Sequence, residues 1–360
     1  ISESSGVCCG IVGPWGSGKS SFMKLMDEYI RKESSWRNAH TAWFTAWDPG
    51  GIQDLGDAML YRFFRDVVEE NEEMTNVFKE LQEALGIRRS FRERARRALE
   101  GVSEALPETG RAAVAVAGSL LGELDASRKV QRSFERLMDW LEKEKRTAFF
   151  FIDDIDRATG DQIRDLLSEL KLYVSHRRIV AILGYSEDYV LSALKSPVLP
   201  QGIDPKKYLE KIVTVKRNVP IPTIDRLAPY AARLINSMLG LSERVEELGR
   251  IAVRLSFNNP RRLKNLILAF TQFVSSVEYK EFAYEDLASM LITTAAVDMG
   301  FLADGEIMKA IESGAEDGII SAIQESVKKD PSRSKEAELL INEVEGIRPR
   351  FQSGSVSRLR

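Results

Sequence analysis

The sequence is poor in the residues that announce a disulfide or a transition-metal site. Its only two cysteines, Cys8 and Cys9, are neighbours. Adjacent side chains on a strand point to opposite faces, so no bridge between them is expected, and a reducing compartment is. His40 and His176 are the only histidines. No Cys/His cluster is on hand for zinc, which leaves Mg²⁺ as the expected ion. The small apolar stretch Ala112 to Gly122 is far short of the roughly twenty residues a membrane-spanning helix needs. It reads as a buried helix or an interfacial segment. The guanine-reading string Asn-Lys-x-Asp is missing, which argues against a GTPase. Formal net charge is −3, so nucleic acid would have to be met by a local patch. The chain opens on Ile1, not Met, and reads as a fragment of a longer protein with no signal peptide in view.

What is present is ordinary globular material. The chain has 360 residues, 44% hydrophobic and 29% charged, enough for a full core and for about two domains. Within it, Gly13-Pro14-Trp15-Gly16-Ser17-Gly18-Lys19-Ser20 fits G-x-x-x-x-G-K-[ST] at every fixed position. An apolar run, Val7 to Val12, predicts a buried strand before it. Phe22, Leu25, Met26, Tyr29 and Ile30 predict a helix after it. That context suits a polyphosphate: the small residues let backbone N–H groups converge on phosphate oxygens, and the helix N-terminus adds its dipole. Lys19 would reach the β- and γ-phosphates, and the Ser20 hydroxyl would ligate Mg²⁺. Ser21 completes the candidate binding set.

Further along, His40 to Asp48 predicts a second strand, its tryptophans expected in the core. About one hundred residues of helical pattern follow. Leu60 to Val68, Phe91 to Val102 and Val130 to Leu141 each show apolar residues at helical spacing. Arg88, Arg89, Arg92, Arg94, Arg96 and Arg97 cluster there, either as a solvated face or as a site for an anionic partner, nucleic acid or lipid headgroups. Next, Thr147 to Asp154 is an apolar run ending in paired acids, the Walker B pattern. Asp153 is expected to hold Mg²⁺ and Asp154 to orient and deprotonate the attacking water. Arg157 is read as a helix-start salt bridge or as a charge reaching a neighbouring subunit's nucleotide. Ile179 to Leu183 predicts another buried strand, with Ser186 just beyond its end. A last strand is expected over Ile212 to Val215, and Pro220-Ile221-Pro222 as the way out of the core. From Thr223 the pattern is helical, with Ser242 a plausible N-cap and a stop and restart at Asn259-Pro260-Arg261-Arg262. Two arginines in a first helical turn oppose the macrodipole, and a phosphate would supply a reason for them.

Taken in order, Gly13 to Ser20, Phe44-Thr45-Ala46-Trp47, Phe151-Ile152-Asp153-Asp154-Ile155-Asp156-Arg157, Tyr208-Leu209-Glu210-Lys211-Ile212 and Asn259-Pro260-Arg261-Arg262 resemble the KAP family of P-loop NTPases, relatives of the AAA+ and STAND ATPases. The resemblance covers residues 7 to about 265, and the last sixty residues match nothing familiar. It implies an α/β fold: a P-loop NTPase core with a parallel sheet containing an additional strand, a large helical insertion between Walker A and Walker B, and an α-helical lid domain. It also implies Ser186 at the sensor-1 place, Arg261 and less surely Arg262 at sensor 2, and Thr45 as a polar residue restraining the catalytic acid. Lys207 or Lys211 falls where AAA+ relatives send a finger into the next subunit, although lysine in place of arginine departs from that pattern. Family members commonly carry membrane-spanning helices between the two Walker motifs, and none is expected here. Members are associated with membrane-linked signalling assemblies and, in bacteria, with phage exclusion.

The domain reading is 1–222 for the core, with the insertion at about 52–146, then 223–300 for the lid, 301–346 for C-terminal helices and 347–360 for a flexible basic tail. The leading function is Mg²⁺-dependent ATP hydrolysis that drives a conformational or assembly change. The alternative is a switch that holds ATP or ADP, turns over little and engages a partner protein, DNA or a membrane surface. Both imply ATP and Mg²⁺, nucleotide-dependent self-association, and a cytoplasmic location, peripheral to the membrane at most.

Overall fold

The computed structural model describes residues 6–46, 55–68, 74–87, 90, 111–195, 197–241, 244–276, 284–302 and 316–351; at 35, 111–123, 172, 316–319, 322 and 347–351 it describes the backbone alone. Contacts divide the chain into two compact units, Ile1–Trp15 with Lys19–Val219 and Gly16–Gly18 with Pro220–Arg360.

The first unit is built on five strands: β1 (Val7–Val12), β2 (Ala39–Thr45), β3 (Thr147–Asp153), β4 (Ile179–Tyr185) and β5 (Val215–Asn218). Their order is β2-β3-β4-β1-β5, and every pairing is parallel. A parallel sheet is covered on both faces, so its inner strands read as unbroken apolar runs, as β3 and β4 do. β5 differs from expectation. The apolar run at Ile212 and Val213 is buried on the approach, and the strand begins at Val215 and continues through exposed Lys216, Arg217 and Asn218. It is an edge strand, and charged side chains on an edge discourage pairing with another chain.

Alternation along the strands assigns the two faces. Phe149 and Phe151 of β3 join Ile11, Ile182 and, from α1 (Lys19–Lys32), Met23 and Ile30. Phe150 and Ile152 point the other way, into a larger core with α2 (Leu55–Val68) and α4 (Gly160–Tyr173). Trp43 stacks on Phe151 with ring centroids 4.7 Å apart, and its indole Nε1 donates to Asp27 of α1 at 2.9 Å. Trp43 is thus a packing residue. Trp47 and Asp48 lie outside the described residues.

Between β2 and β3 the described chain is helical: α2, residues 74–87, and α3 (Arg111–Lys143). The 74–87 helix buries Met74, Val77, Leu81 and Ala84, which recur at helical spacing. α3 is one helix of 33 residues that takes in both Ala112 to Gly122 and the stripe from Val130 to Leu141. No described helix is long and apolar enough to cross a membrane. The six clustered arginines, Arg88 to Arg97, and the helix expected at Phe91 to Val102 lie outside the described residues. Two short helices, α5 (Glu187–Ala193) and α6 (Pro205–Glu210), precede β5.

The second unit contains α7 (Ile224–Leu239), α8 (Val245–Leu255), α9 (Pro260–Ser276), α10 (Tyr284–Asp298), α11 (Glu316–Lys329) and α12 (Ser334–Phe351). One core holds Ile235, Leu248 and Phe270 together with Phe301, Ile323 and Leu340. The segment after 300 therefore packs with the helices before it, where the sequence reading separates them. α12 also runs past Gly346 to Phe351, so 347–351 are helical where a tail is expected. A glycine inside a helix costs about 1 kcal/mol, too little to end one anchored by buried Leu340 and Val344. Ser242 and 352–360 lie outside the described residues.

Candidate nucleotide site

The sheet order decides where the chemistry can gather. β4 lies between β1, which leads into the glycine loop, and β3, which leads into the acids. In register, Val12 of β1 pairs with Tyr185 of β4, and Ile152 of β3 with Leu183. Gly13, Ser186 and Asp153 therefore emerge side by side at the C-terminal edge, where parallel α/β sheets bind their ligands.

The loop takes the form its residues permit. Gly16 and Gly18 have φ of 79° and 95°, the left-handed region that favours glycine. Lys19 opens α1 and is 7% exposed; its Nζ donates to the carbonyls of Gly13 at 3.0 Å and Pro14 at 3.2 Å. Among the described residues the buried Ser17 hydroxyl has no hydrogen-bond partner, an arrangement that suits a loop whose partners are phosphate oxygens. Ser20 is half-buried at the first turn of α1, and Ser21 beside it is exposed.

Asp153 ends β3 on the face that carries Phe149 and Phe151, the α1 face, and is 6% exposed. Its carboxylate lies over Gly184 of β4, where an added Cβ would stand 2.9 Å from Asp153 Oδ1 and 2.6 Å from Met23 Sδ. The glycine keeps a notch open for the acid beside α1. Thr45 pairs in register with Asp153, so it flanks the metal-binding candidate and is not aligned with Asp154.

Asp154 has φ of 57°, a left-handed conformation that aspartate tolerates better than most residues. Its N–H donates to Asp153 Oδ1 at 2.9 Å, and its carboxylate pairs with Arg157 at 3.4 Å. Arg157 thus makes a local ion pair, as one of its two readings expects. Asp156 is the residue that reading the sequence passed over, although it stands inside the Ile152-Asp153-Asp154-Ile155-Asp156-Arg157 string. It is 3% exposed, and its Oδ2 accepts from Trp15 Nε1 at 2.8 Å and from the Ser186 backbone N–H at 3.1 Å. Lys19 Nζ stands 3.7 Å from the same oxygen. A third acid two residues on carries no recognisable spacing, which is why the motif alone did not expose it.

The thiol of Cys8, on β1, is pushed up to about 12, first by burial and then by Cys9, so it stays protonated and unreactive. Burial likewise raises the Tyr185 phenol, which lies over Gly10 of β1, out of the range of a base.

Of the other predicted residues, Arg261 lies against Gly16, where an added Cβ would stand 2.8 Å from Arg261 Cβ and 2.5 Å from Asn259 Oδ1. Lys207 and Lys211 are exposed at α6. In the second unit, Asn259 caps α9, accepting from the N–H groups of Arg261 at 3.1 Å and Arg262 at 3.2 Å. Arg261 is exposed. The Arg262 guanidinium stands 5.6 Å from the Phe257 ring and 4.0 Å from Glu336, so packing within its own unit accounts for it.

A parallel sheet of order 2-3-4-1-5, a Gly-Lys-Ser loop after β1 and paired acids at the end of β3 together define a nucleotide-binding P-loop NTPase domain. Residues 1–277 match the model of the KAP family P-loop domain, and the chain belongs to that family. No curated protein matches the sequence.

Proposed function

We propose that the chain binds ATP with Mg²⁺ at the β1–α1 loop and hydrolyses it, using the change in bound phosphate to drive a conformational or assembly step. The observation that carries this reading is the grouping of Lys19, Asp153 and Asp154 at one edge of the sheet, with Ser20 following Lys19 at the start of α1. Ser20 and Asp153 are the residues that would hold Mg²⁺. The notch over Gly184 and the buried Ser17 hydroxyl, without a partner among the described residues, support the fit. When bound, the ion would neutralise charge on the β- and γ-phosphate oxygens.

The chain's own groups do the rest by position and charge. Lys19 binds the phosphates from the base of the loop. Asp154 orients water and takes its proton, and Ser186 lies beside the loop at the end of β4, where it can sense the γ-phosphate. Asp154→Asn tests this. Asparagine tolerates the same left-handed backbone, so ATP binding should persist while phosphate release falls at least ~100-fold, the scale of a lost general base. Unchanged phosphate release would remove Asp154 from the role. Arg261, named by the resemblance, is tested as Arg261→Ala in the same assay.

The Arg157–Asp154 pair, 3.4 Å apart, favours a second reading, a switch that retains nucleotide and turns over slowly, because a carboxylate held by a guanidinium is less free to turn towards water. Either way we propose that the output passes to a partner in phage defence or signalling, a reading that rests on the resemblance alone.

A further inference from the structure

The proposed reaction gives Asp156 no task, yet its carboxylate is almost wholly enclosed, at 3% exposure. An ionised carboxylate taken from water is strongly destabilised unless donors meet its lone pairs. Oδ2 has two, the Trp15 indole N–H at 2.8 Å and the Ser186 backbone N–H at 3.1 Å, with the Lys19 ammonium at 3.7 Å. These groups come from three places: the loop after β1, the first residue of α1 and the junction of β4 with α5. Asp156 itself follows β3, two strands away from β1. One oxygen atom therefore ties together every strand end at which the nucleotide would sit. Trp15 is 58% exposed, so burial does little to hold it. The Asp156 bond and the Tyr189 ring, 5.8 Å away centroid to centroid, grip it from two sides.

We propose that Asp156 is a positioning residue for the nucleoside triphosphate. Through Trp15 it clamps the outer half of the phosphate loop to the ends of β3 and β4, and its charge steers the Lys19 ammonium before phosphate arrives. The inference rests on the nucleotide reading above and adds a role within it. The physical reason is preorganisation. A loop with two glycines at positive φ has backbone freedom to lose on binding, and a clamp made beforehand removes that loss from the binding step.

Trp15→Phe keeps a ring against Tyr189 and deletes the N–H. Since a hydrogen bond to an ionised group is worth about a factor of ten or more, KM for Mg-ATP should rise about tenfold, with kcat changed about twofold at most. A merely structural role would lower the active fraction, hence kcat, and leave KM in place. Asp156→Asn should also raise KM. In the double variant the loss should be smaller than the product of the two single losses, because both act through one bond. Hydrogen exchange of the nucleotide-free full chain supplies a second readout: amides at 13–18 should exchange faster in each single variant.

Wild-type KM in Trp15→Phe together with unchanged exchange overturns the proposal, as do losses that simply multiply in the double variant. Should Asp156→Asn fail to fold, Trp15→Phe decides alone. Should the wild-type chain neither bind nor hydrolyse ATP, the nucleotide reading falls, and the exchange measurement still decides whether the clamp exists.

Discussion

Asp153 and Asp154 are adjacent in sequence, and the backbone separates what they can do. Asp153 ends a strand and inherits the α1 face from Phe149 and Phe151. Asp154 turns left-handed at φ of 57° and leaves the sheet, its carboxylate pairing with Arg157. The metal-binding and water-directing roles proposed for them can thus be held side by side without competing for one position. A charge network at the other end of the sheet has no part in this chemistry. Glu142 of α3 accepts hydrogen bonds from Arg178, at 3.0 and 3.2 Å, and from Arg177. Those bonds, Arg178 first, hold its carboxyl down at about 2 from the usual 4.5. A folded value below the unfolded one means stabilisation that is present above 4.5 and lost as pH falls towards 2. The urea midpoint of the wild type should exceed that of Glu142→Gln near about pH 7, and the gap should close as the carboxyl protonates towards about pH 2. A gap that stays the same at both ends would mean the ionised carboxylate is not its source.

At the scale of elements, the site depends on β4 as a spacer. Inserting that strand between β1 and β3 sets the distance between loop and acids, and Gly184 on it leaves room for Asp153 and Met23. In Gly184→Ala the new methyl would meet Met23 Sδ at 2.6 Å and Asp153 Oδ1 at 2.9 Å. Both neighbours are side chains, so they can yield, and overpacking of this kind costs about 1–3 kcal/mol. The variant should melt lower and need more Mg²⁺ to bind ATP, since Asp153 is what moves. Thermal melting and a Mg²⁺ titration of ATP binding measure the two effects. An unchanged Mg²⁺ requirement would separate Gly184 from the metal role proposed for Asp153.

For the whole molecule the question is whether one chain suffices. Lys207 and Lys211 are exposed, and the resemblance proposes one or the other near the place of a finger reaching into a neighbour; a supplied arginine finger is worth about 10³–10⁵ in rate. If turnover needs a second copy, ATPase activity per molecule should rise with protein concentration and then saturate. A specific activity that stays flat across the range, with one nucleotide retained through purification, would favour the slow switch within a single chain.

Parts of this were legible in the residue order, and the rest needed the fold. Local chemistry was legible: the glycines and lysine of the loop, the apolar strand ending in Asp153 and Asp154, and the helical stripes of α2 and α3 each declare themselves over a few residues, because phosphate binding and burial act on near neighbours. The start of β5 was misplaced because an edge strand has polar side chains, and 347–351 were misread because helix propensity at Gly346 is weaker than the packing of Leu340 and Val344. Asp156 was invisible for a different reason. Its meaning lies in Trp15, Lys19 and Ser186, up to 141 residues away, and a carboxylate acquires such partners only when the sheet order brings three strand ends together. Spacing along the chain determines which groups can touch a phosphate; the order of the strands determines which of them brace one another.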